Sequence, residues 1–292
     1  MPLSSGPTSH FYYSQRLRMH YAYWGNDDAP PLLLVHGGRD HCRNWDWIAE
    51  RLRKDYHVIA VDLRGHGDSE WSIGGDYSLA DSIYDVQQLL RQKTDLPVSI
   101  VSHSYGGAVS LLYTGLFPET VNRLVVIEGT GQFQFPFLPV VERTVAWLDR
   151  LRQTSGRQHR RYPTIEAAFQ RMQQENPHLS EERARHLTVY GVNQNEDGTY
   201  SWKFDNYARA TSPNQFTPAE TAELWARITS PTLLIYGTDS WVKTPKEIGA
   251  DIHFKTAAVR LIQSAGHWVH HDREDEVVAL IRPFLATGVA PD

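Results

Sequence analysis

The sequence is poor in the features that hold small proteins together covalently or carry a chain across a membrane. Only one of its 292 residues is a cysteine, Cys42, which excludes an intrachain disulfide and a four-cysteine zinc site. No apolar run approaches the roughly 18 residues that a membrane-spanning helix needs. Residues 1–15 lack a basic stretch followed by an apolar one, so no secretory signal is indicated. We therefore expect a cytoplasmic protein without a membrane span.

A large excess of charge of either sign is also missing. Lys and Arg number 29 against 34 Asp and Glu, giving a net charge of −5, and this mildly acidic balance argues against nucleic acid as a partner. The sequence has no internal repeat, no low-complexity segment and no phosphate-binding loop of the Gly-Lys-Ser/Thr type. Its length allows two domains or one large one. We expect a small molecule as the partner, and either a monomer or a homodimer.

Short apolar runs that end at turns rich in Gly, Asp and His fill the region from about residue 10 to 130. Such β-branched runs are typical of strands buried on both faces of a parallel sheet. The runs are residues 32–35, 57–61, 98–101 and 124–127. Amphipathic stretches at 47–54 and 79–93 are predicted to be crossover helices, and residues 10–24 an antiparallel edge hairpin.

The pattern changes between about residues 131 and 227, where apolar residues take helical spacing. Thr164 and Ser180 can cap helices, and Thr217-Pro218-Ala219-Glu220 has the form of a capping box. Asp197-Gly198 indicates a turn, and a hairpin around it is predicted. This segment is therefore expected to be mainly helical.

The strand pattern returns at residues 231–236 and 259–262, and a helix is predicted over 274–285. We therefore predict one core, residues 1–130 and 228–292, interrupted by a helical cap or lid, residues 131–227.

The string Ser102-His103-Ser104-Tyr105-Gly106-Gly107 carries the strongest chemical signal. It follows an apolar strand and precedes a helix-like run, which is the context of a nucleophile elbow. The small residues Ser102 and Gly106, two before and two after Ser104, allow the strand and helix to pass closely. A glycine-rich strand-to-helix turn without catalytic function is the alternative interpretation.

Three further motifs favour catalysis. His36-Gly37-Gly38 follows a strand, and such a loop can aim a backbone N–H at a developing oxyanion, with the N–H of Tyr105 as a second donor. Residues 62–69, Asp-Leu-Arg-Gly-His-Gly-Asp-Ser, suit a tight turn fixed by internal polar bonds. Gly266-His267-Trp268 follows the last strand and places a histidine where it can act as general base.

These four motifs, in this order, resemble those of the α/β-hydrolase superfamily, in its serine hydrolase or esterase branch with a cap domain. The likeness covers roughly residues 10–130 and 228–288. It implies an α/β fold, with a mostly parallel twisted sheet flanked by helices and an inserted helical cap. It also implies that Ser104 is the nucleophile, that His267 is the base and that no cofactor is needed. The amides of Gly38 and Tyr105 would form the oxyanion hole, with Arg39 as a weaker candidate for the first.

The acid that would orient the histidine departs from the family's common pattern. That pattern places it three residues after a glycine, and the residue at that distance from Gly237 is Ser240. Asp239 lies one residue earlier, and a one-residue slip in an extended segment turns a side chain to the other side. Some relatives use a glutamate that ends the strand after the nucleophile helix, where this chain has Glu128. A buried carboxylate needs a partner, which favours Glu128, with Asp239 as the alternative.

Aromatic residues near these motifs are candidates for substrate binding. Phe133 and Phe135 begin the cap, where they could line an acyl pocket or pack the cap onto the core. Trp241 and Trp268 flank the acid and base loops and are plausible pocket walls. His270 and His271 are expected at the surface or at a helix start. His103 is expected to point into the core, and no metal site is predicted.

The sequence thus predicts a carboxylic ester hydrolase that works through a Ser-His-acid triad and an acyl-enzyme. The expected small-molecule partner is therefore an ester-like substrate. The alternatives are a C–C bond hydrolase, a lactonase, a thioesterase, or a ligand-binding member of the same fold without turnover. The first three use the same catalytic residues, so the motifs do not separate them.

Overall fold

Most of the apolar runs described above become strands of a single sheet. The computed structural model describes residues 6–130 and 136–291. The strands are β1 (Thr8–Ser14), β2 (Leu17–Tyr23), β3 (Pro31–Val35), β4 (His57–Val61), β5 (Val98–His103), β6 (Val121–Ile127), β7 (Val192–Gln194), β8 (Tyr200–Trp202), β9 (Thr232–Gly237) and β10 (Ala257–Ile262). The helices are α1 (Asp46–Leu52), α2 (Leu79–Lys93), α3 (Ser104–Leu116), α4 (Val140–Thr154), α5 (Ile165–Glu175), α6 (Glu181–Gly191), α7 (Pro218–Ala226), α8 (Val269–Asp272) and α9 (Glu274–Thr287). Within these described ranges, none of the helices is both long and apolar enough to span a bilayer.

The eight-stranded sheet has the order β1-β2-β4-β3-β5-β6-β9-β10. Strand β2 runs antiparallel to both of its neighbours, and the other pairs are parallel. The predicted edge hairpin is β1 and β2. This mostly parallel sheet flanked by helices confirms the predicted α/β class.

The continuous apolar runs arise because helices cover both faces of the sheet. In β3, Leu33 and Val35 belong to one buried cluster, whereas Leu32 and Leu34 belong to another. Successive side chains of a strand point to opposite faces, so one strand serves both clusters. Burying each such side chain stabilises the fold by about 1.5–3 kcal/mol.

Between β6 and β9 the described chain is mainly helical, with the short antiparallel pair β7 and β8 around the turn at Asp197-Gly198. The side chains of Thr164 and Ser180 cap α5 and α6. Thr217 and Glu220 form the reciprocal capping box of α7. Local sequence therefore sets where these helices begin, and the division into core and cap stays a prediction.

Candidate active site

Strand β5 and helix α3 meet at Ser104 without an intervening loop. Strand β5 ends at His103, and α3 begins at Ser104, whose φ of 51° lies in the left-handed region. A non-glycine residue rarely adopts this conformation, which costs on the order of 1–3 kcal/mol. The strain turns the chain sharply, and the Ser104 side chain lines a cavity at the carboxyl edge of the sheet.

Two glycines allow the neighbouring chain to approach this turn. A Cβ on Gly106 would lie 2.3 Å from the carbonyl oxygen of His36 and 2.7 Å from that of Val35. A Cβ on Gly37 would lie 3.2 Å from Cβ of Ser104. The start of α3 can therefore pass the end of β3 only because these positions carry no side chain.

The side chains of Ser104, His267 and Glu128 form a continuous hydrogen-bonded chain. Nδ1 of His267 donates to Oε2 of Glu128 at 2.9 Å. With the proton on Nδ1, the neutral ring leaves Nε2 as an acceptor. The Ser104 hydroxyl lies 3.0 Å from Nε2 and donates to it. The geometry therefore links a hydroxyl, an imidazole and a carboxylate in the order that activates a nucleophile.

Glu128 is fully buried and surrounded by donors. The N–H of Gly237 donates to Oε1 at 2.8 Å, and the Ser240 hydroxyl donates to Oε2. The backbone φ of Glu128 is 57°, so this carboxylate too is held by a strained turn. Asp239, in contrast, is exposed, and its Oδ1 accepts the hydroxyl of Thr238 at 3.1 Å. The structure thus brings Glu128, and not Asp239, to the histidine.

Sequence reasoning missed that Ser240 contacts this carboxylate. The family register had placed Ser240 at the usual position of the acid, and its hydroxyl does reach the acid site. The signal in the sequence that could have indicated this contact is the small polar residue at the position where the family's common pattern has its acid. The site therefore combines a carboxylate from one strand end with a hydroxyl from the next.

The expectation for two neighbouring histidines, at the surface or at a helix start, is correct only for the second position. His270 and His271 lie in the first turn of the short helix α8, but both are buried. His270 stacks on Trp45 with ring centroids 4.7 Å apart, and its Nε2 lies 2.6 Å from Oδ1 of Asn44. The His271 ring meets Trp47 of α1 edge-on, with ring centroids 5.7 Å apart, so contacts with distant segments cover both side chains.

His103 is buried as expected, but it also supports the active-site loop. Its Nε2 donates to the backbone carbonyl of His267 at 2.9 Å, and the two rings lie 4.8 Å apart. Burial, followed by the neighbouring histidines, holds the pKa of His103 well below its usual range. This neutral ring fixes the backbone that carries His267.

The predicted oxyanion donors come from two segments of the chain that meet near Ser104. Gly38, Arg39 and Tyr105 line the same cavity as Ser104. Tyr105 is the second residue of α3, so its N–H has no acceptor within the helix. A Cβ on Gly38 would lie 3.8 Å from Cβ of Tyr105, which shows how closely the loop approaches the helix.

His36 anchors the loop that carries Gly38. Its Nδ1 donates to the carbonyl of Gly37 at 2.6 Å, and its Nε2 accepts the N–H of Leu63 at 3.0 Å. Burial lowers the pKa of His36 to about 3, so the ring stays neutral and keeps both hydrogen bonds.

The cavity above Ser104 has a volume of about 760 Å³. Trp241 lines it, and its ring lies 5.2 Å from that of His267. Trp268 does not line this cavity, contrary to expectation, because its ring packs against a buried cluster of the inserted helices. Phe133 and Phe135 lie outside the described residues.

The tight turn at residues 62–69 is fixed by polar bonds, as the sequence indicated. Oδ2 of Asp62 accepts from Nδ1 of His20 at 2.7 Å and from the N–H of Asp68 at 2.9 Å, while Oδ1 accepts the N–H of Cys42 at 2.6 Å.

Three side chains at this turn are of types that can bind a metal ion: the ligand atoms of His20, Cys42 and Asp62 lie within 4.8 Å of one another. Burial raises the pKa of the Cys42 thiol, and both carboxylate oxygens of Asp62 are already engaged by the hydrogen bonds of the turn. We therefore assign this cluster a structural role.

Comparisons with known proteins agree with the fold. A family model for the alpha/beta hydrolase fold matches residues 30–274. An esterase of Mycobacterium tuberculosis is 24% identical over 272 residues, 90% of this chain and 85% of that protein. The human serine hydrolase-like protein 2 is 27% identical over 193 residues, 61% of this chain and 60% of that protein. The solved thioesterase domain from the curacin biosynthetic pathway has a TM-score of 0.86 at 24% identity, over 95% of this chain and 100% of that one.

Proposed function

Because the chain belongs to the alpha/beta hydrolase fold family, we propose that it is a serine hydrolase that cleaves carboxylic esters through an acyl-enzyme. Ser104 is the nucleophile, His267 the general base and Glu128 the acid. The observation that carries this proposal is the hydrogen-bonded chain from Oγ of Ser104 through both ring nitrogens of His267 to Oε2 of Glu128.

Acylation begins with the transfer of the Ser104 proton to Nε2 of His267 as Oγ attacks the ester carbonyl. The oxyanion that develops accepts hydrogen bonds from the N–H groups of Gly38 and Tyr105. Collapse of the tetrahedral intermediate breaks the bond to the alcohol oxygen. The imidazolium gives its proton to that oxygen, and the alcohol leaves.

Deacylation repeats these steps with water. His267 takes a proton from a water molecule, whose oxygen attacks the acyl carbonyl. The bond to Oγ of Ser104 then breaks, and Oγ recovers its proton from the imidazolium. The acid is released and the enzyme is restored. In both halves Glu128 stabilises the imidazolium and holds its Nδ1 proton in place.

The walls of the cavity favour an ester with an apolar acyl part of small to medium size. Apolar side chains of Leu79, Phe137, Trp147 and Phe216 line it, and its volume of about 760 Å³ suits such a ligand. Trp147 comes from the segment between β6 and β9, which supports the proposal that residues 131–227 form a cap over the site.

Labelling with a fluorophosphonate tests the nucleophile, because this reagent reacts only with an activated serine. We expect rapid labelling of the wild type at the peptide that contains Ser104, and none of Ser104→Ala. The exposed Ser155→Ala serves as a matched control and should label like the wild type. Equal labelling of wild type and Ser104→Ala would refute the proposal.

A further inference from the structure

The cavity above Ser104 is lined by positive charge although the chain as a whole is acidic. Five arginines line it, whereas Glu128 is the one acidic residue among its described lining residues. That carboxylate is already engaged by His267, so it does not neutralise them. The net charge of the chain is −5, so this local excess of cations is not a consequence of composition.

Two of the five arginines have structural partners. Arg64 is buried and binds Asp85 at 2.6 Å and Asp81 at 3.0 Å. Arg143 donates to the backbone carbonyl of Pro213 at 2.9 Å. Contacts within the protein therefore explain the positions of these two side chains, and no ligand is needed to explain them.

The other three are exposed and form what we call the arginine rim: Arg39, Arg150 and Arg209. None of the three has a carboxylate within 4 Å among residues 6–130 and 136–291. The guanidinium of Arg209 lies 5.7 Å from the centre of the Phe204 ring, a contact that leaves its charge uncompensated.

The rim is assembled from three separate parts of the chain. Arg39 follows β3, Arg150 lies on α4, and Arg209 ends the 3₁₀ turn Asn206–Arg209. On α4, Arg150 shares the cavity-lining face with Trp147. Arg152, on the same helix, instead pairs with Asp149 at 3.2 Å and is 82% exposed. The three arginines of the rim come from three separate elements and line one cavity. They are therefore not simply the charged, solvent-exposed face of a single helix.

Backbone strain and mutual repulsion both oppose this arrangement. Arg39 has a φ of 62°, a conformation that is uncommon for an arginine. Partial burial, and then the charge of Arg39, lower the pKa of Arg209. Glu175 acts in the other direction, and Arg150 adds a smaller lowering effect. A bound anion would relieve this repulsion.

We propose that the ester substrate carries an anionic oxygen group, such as a carboxylate, that binds the arginine rim while its carbonyl lies at Ser104. The guanidinium fork matches a carboxylate in geometry and charge. Apolar side chains that line the same cavity, including Phe137 and Trp147, suit a hydrocarbon linker between the two groups. This inference rests on the proposed function and adds the substrate class to it.

A pair of matched esters tests the inference in the wild type. One is the mono-p-nitrophenyl ester of octanedioic acid, and the other is the same molecule with its free carboxylate capped as a methyl ester. Hexanedioic and decanedioic pairs vary the length of the linker. We expect kcat/KM to favour the anionic member of the best pair at least about tenfold, chiefly through KM. The preference should shrink as salt screens the charges.

Substitutions then locate the source of the preference. In the double variant Arg150→Gln/Arg209→Gln, the ratio of kcat/KM for the anionic ester to kcat/KM for the capped ester should fall close to unity. Arg152→Gln, on the same helix but outside the cavity, should keep the wild-type ratio. Equal rates for both esters in the wild type, or a ratio that the double variant and Arg152→Gln change alike, would overturn the inference.

Binding to Ser104→Ala separates this inference from the proposed function. By calorimetry, monomethyl octanedioate should bind at least about tenfold more tightly than dimethyl octanedioate. Preferential binding without any wild-type hydrolysis would refute the proposed function alone. Hydrolysis without any preference for the anion would refute the arginine rim alone.

Discussion

Glu128 shows how a single residue can be committed to one role by its surroundings. Three donors surround its buried carboxylate: the Gly237 amide, the Ser240 hydroxyl and the His267 ring. Burying an ionised carboxylate is costly without such partners, and each donor stabilises the charged form. In the proposed mechanism, the carboxylate that stabilises the His267 imidazolium is therefore already held in place before the substrate binds.

Substitution of Glu128 provides the test at this scale. We expect Glu128→Gln to lower kcat for a p-nitrophenyl ester by about 10²–10⁴-fold, because the amide cannot stabilise the imidazolium. Asp239→Asn is the matched control and should retain nearly full activity, since Asp239 is exposed. Thermal unfolding of both variants must show that they are folded. A larger loss in Asp239→Asn would reassign the acid.

At the scale of elements, the site depends on how closely α3 passes β3. Ser104 and Tyr105, at the start of α3, line the cavity, and the loop after β3 brings Gly38 to the same cavity. Gly106 is the point of closest approach, because its missing Cβ leaves room for the carbonyls of Val35 and His36. The crossing of these two elements therefore sets the spacing of Gly38 and Tyr105, whose amides are the proposed oxyanion donors.

Gly106→Ala tests this crossing. Alanine is the better helix former by about 1 kcal/mol, but its Cβ would lie 2.3 Å from a backbone oxygen that cannot move cheaply. We expect the clash to dominate and the free energy of unfolding to fall by about 1–3 kcal/mol, with loss of esterase activity. Urea denaturation measures the first effect. Gly6→Ala, where the added Cβ meets nothing within 4 Å, is the control, and unchanged stability in Gly106→Ala would contradict the prediction.

At the scale of the whole molecule, the fold buries several histidines in neutral form. Burial is the main cause of a lowered pKa in each of them: His36, His41, His66, His103, His270 and His271. In the unfolded chain the same side chains accept protons near pH 6.5. Protons therefore bind more tightly to the unfolded state in mildly acidic solution.

Stability should consequently fall as the pH drops below about 6.5. Each of these histidines removes about 1.4 kcal/mol of stability per pH unit until its own folded pKa is reached. Asp40 has the opposite effect. Burial raises its pKa to about 7, so the folded state binds this proton more tightly than the unfolded state does. This single carboxyl group does not offset several histidines. Urea denaturation between about pH 7.5 and 5.5 measures the slope. A free energy of unfolding that stays flat or rises on acidification would contradict this account.

Much of the fold was predictable because its signals are local. Helix α2 has the predicted limits of 79–93, and the capping box at Thr217 forms as expected. Apolar runs and capping residues act on their own neighbours in the chain, so they can be interpreted without a structure. The packing of Trp268 and the burial of His270 were not predicted, because their surroundings come from distant segments.

The sequence by itself determined the class of fold, the order of the motifs and the candidates Ser104 and His267. Only the tertiary structure showed that Glu128 contacts His267 while Asp239 is exposed, although both carboxylates follow apolar strands in the sequence. It also brought Arg39, Arg150 and Arg209 to one cavity. The physical reason is that strand ends and loops far apart in sequence meet at one edge of the sheet, and a linear pattern does not encode those distances.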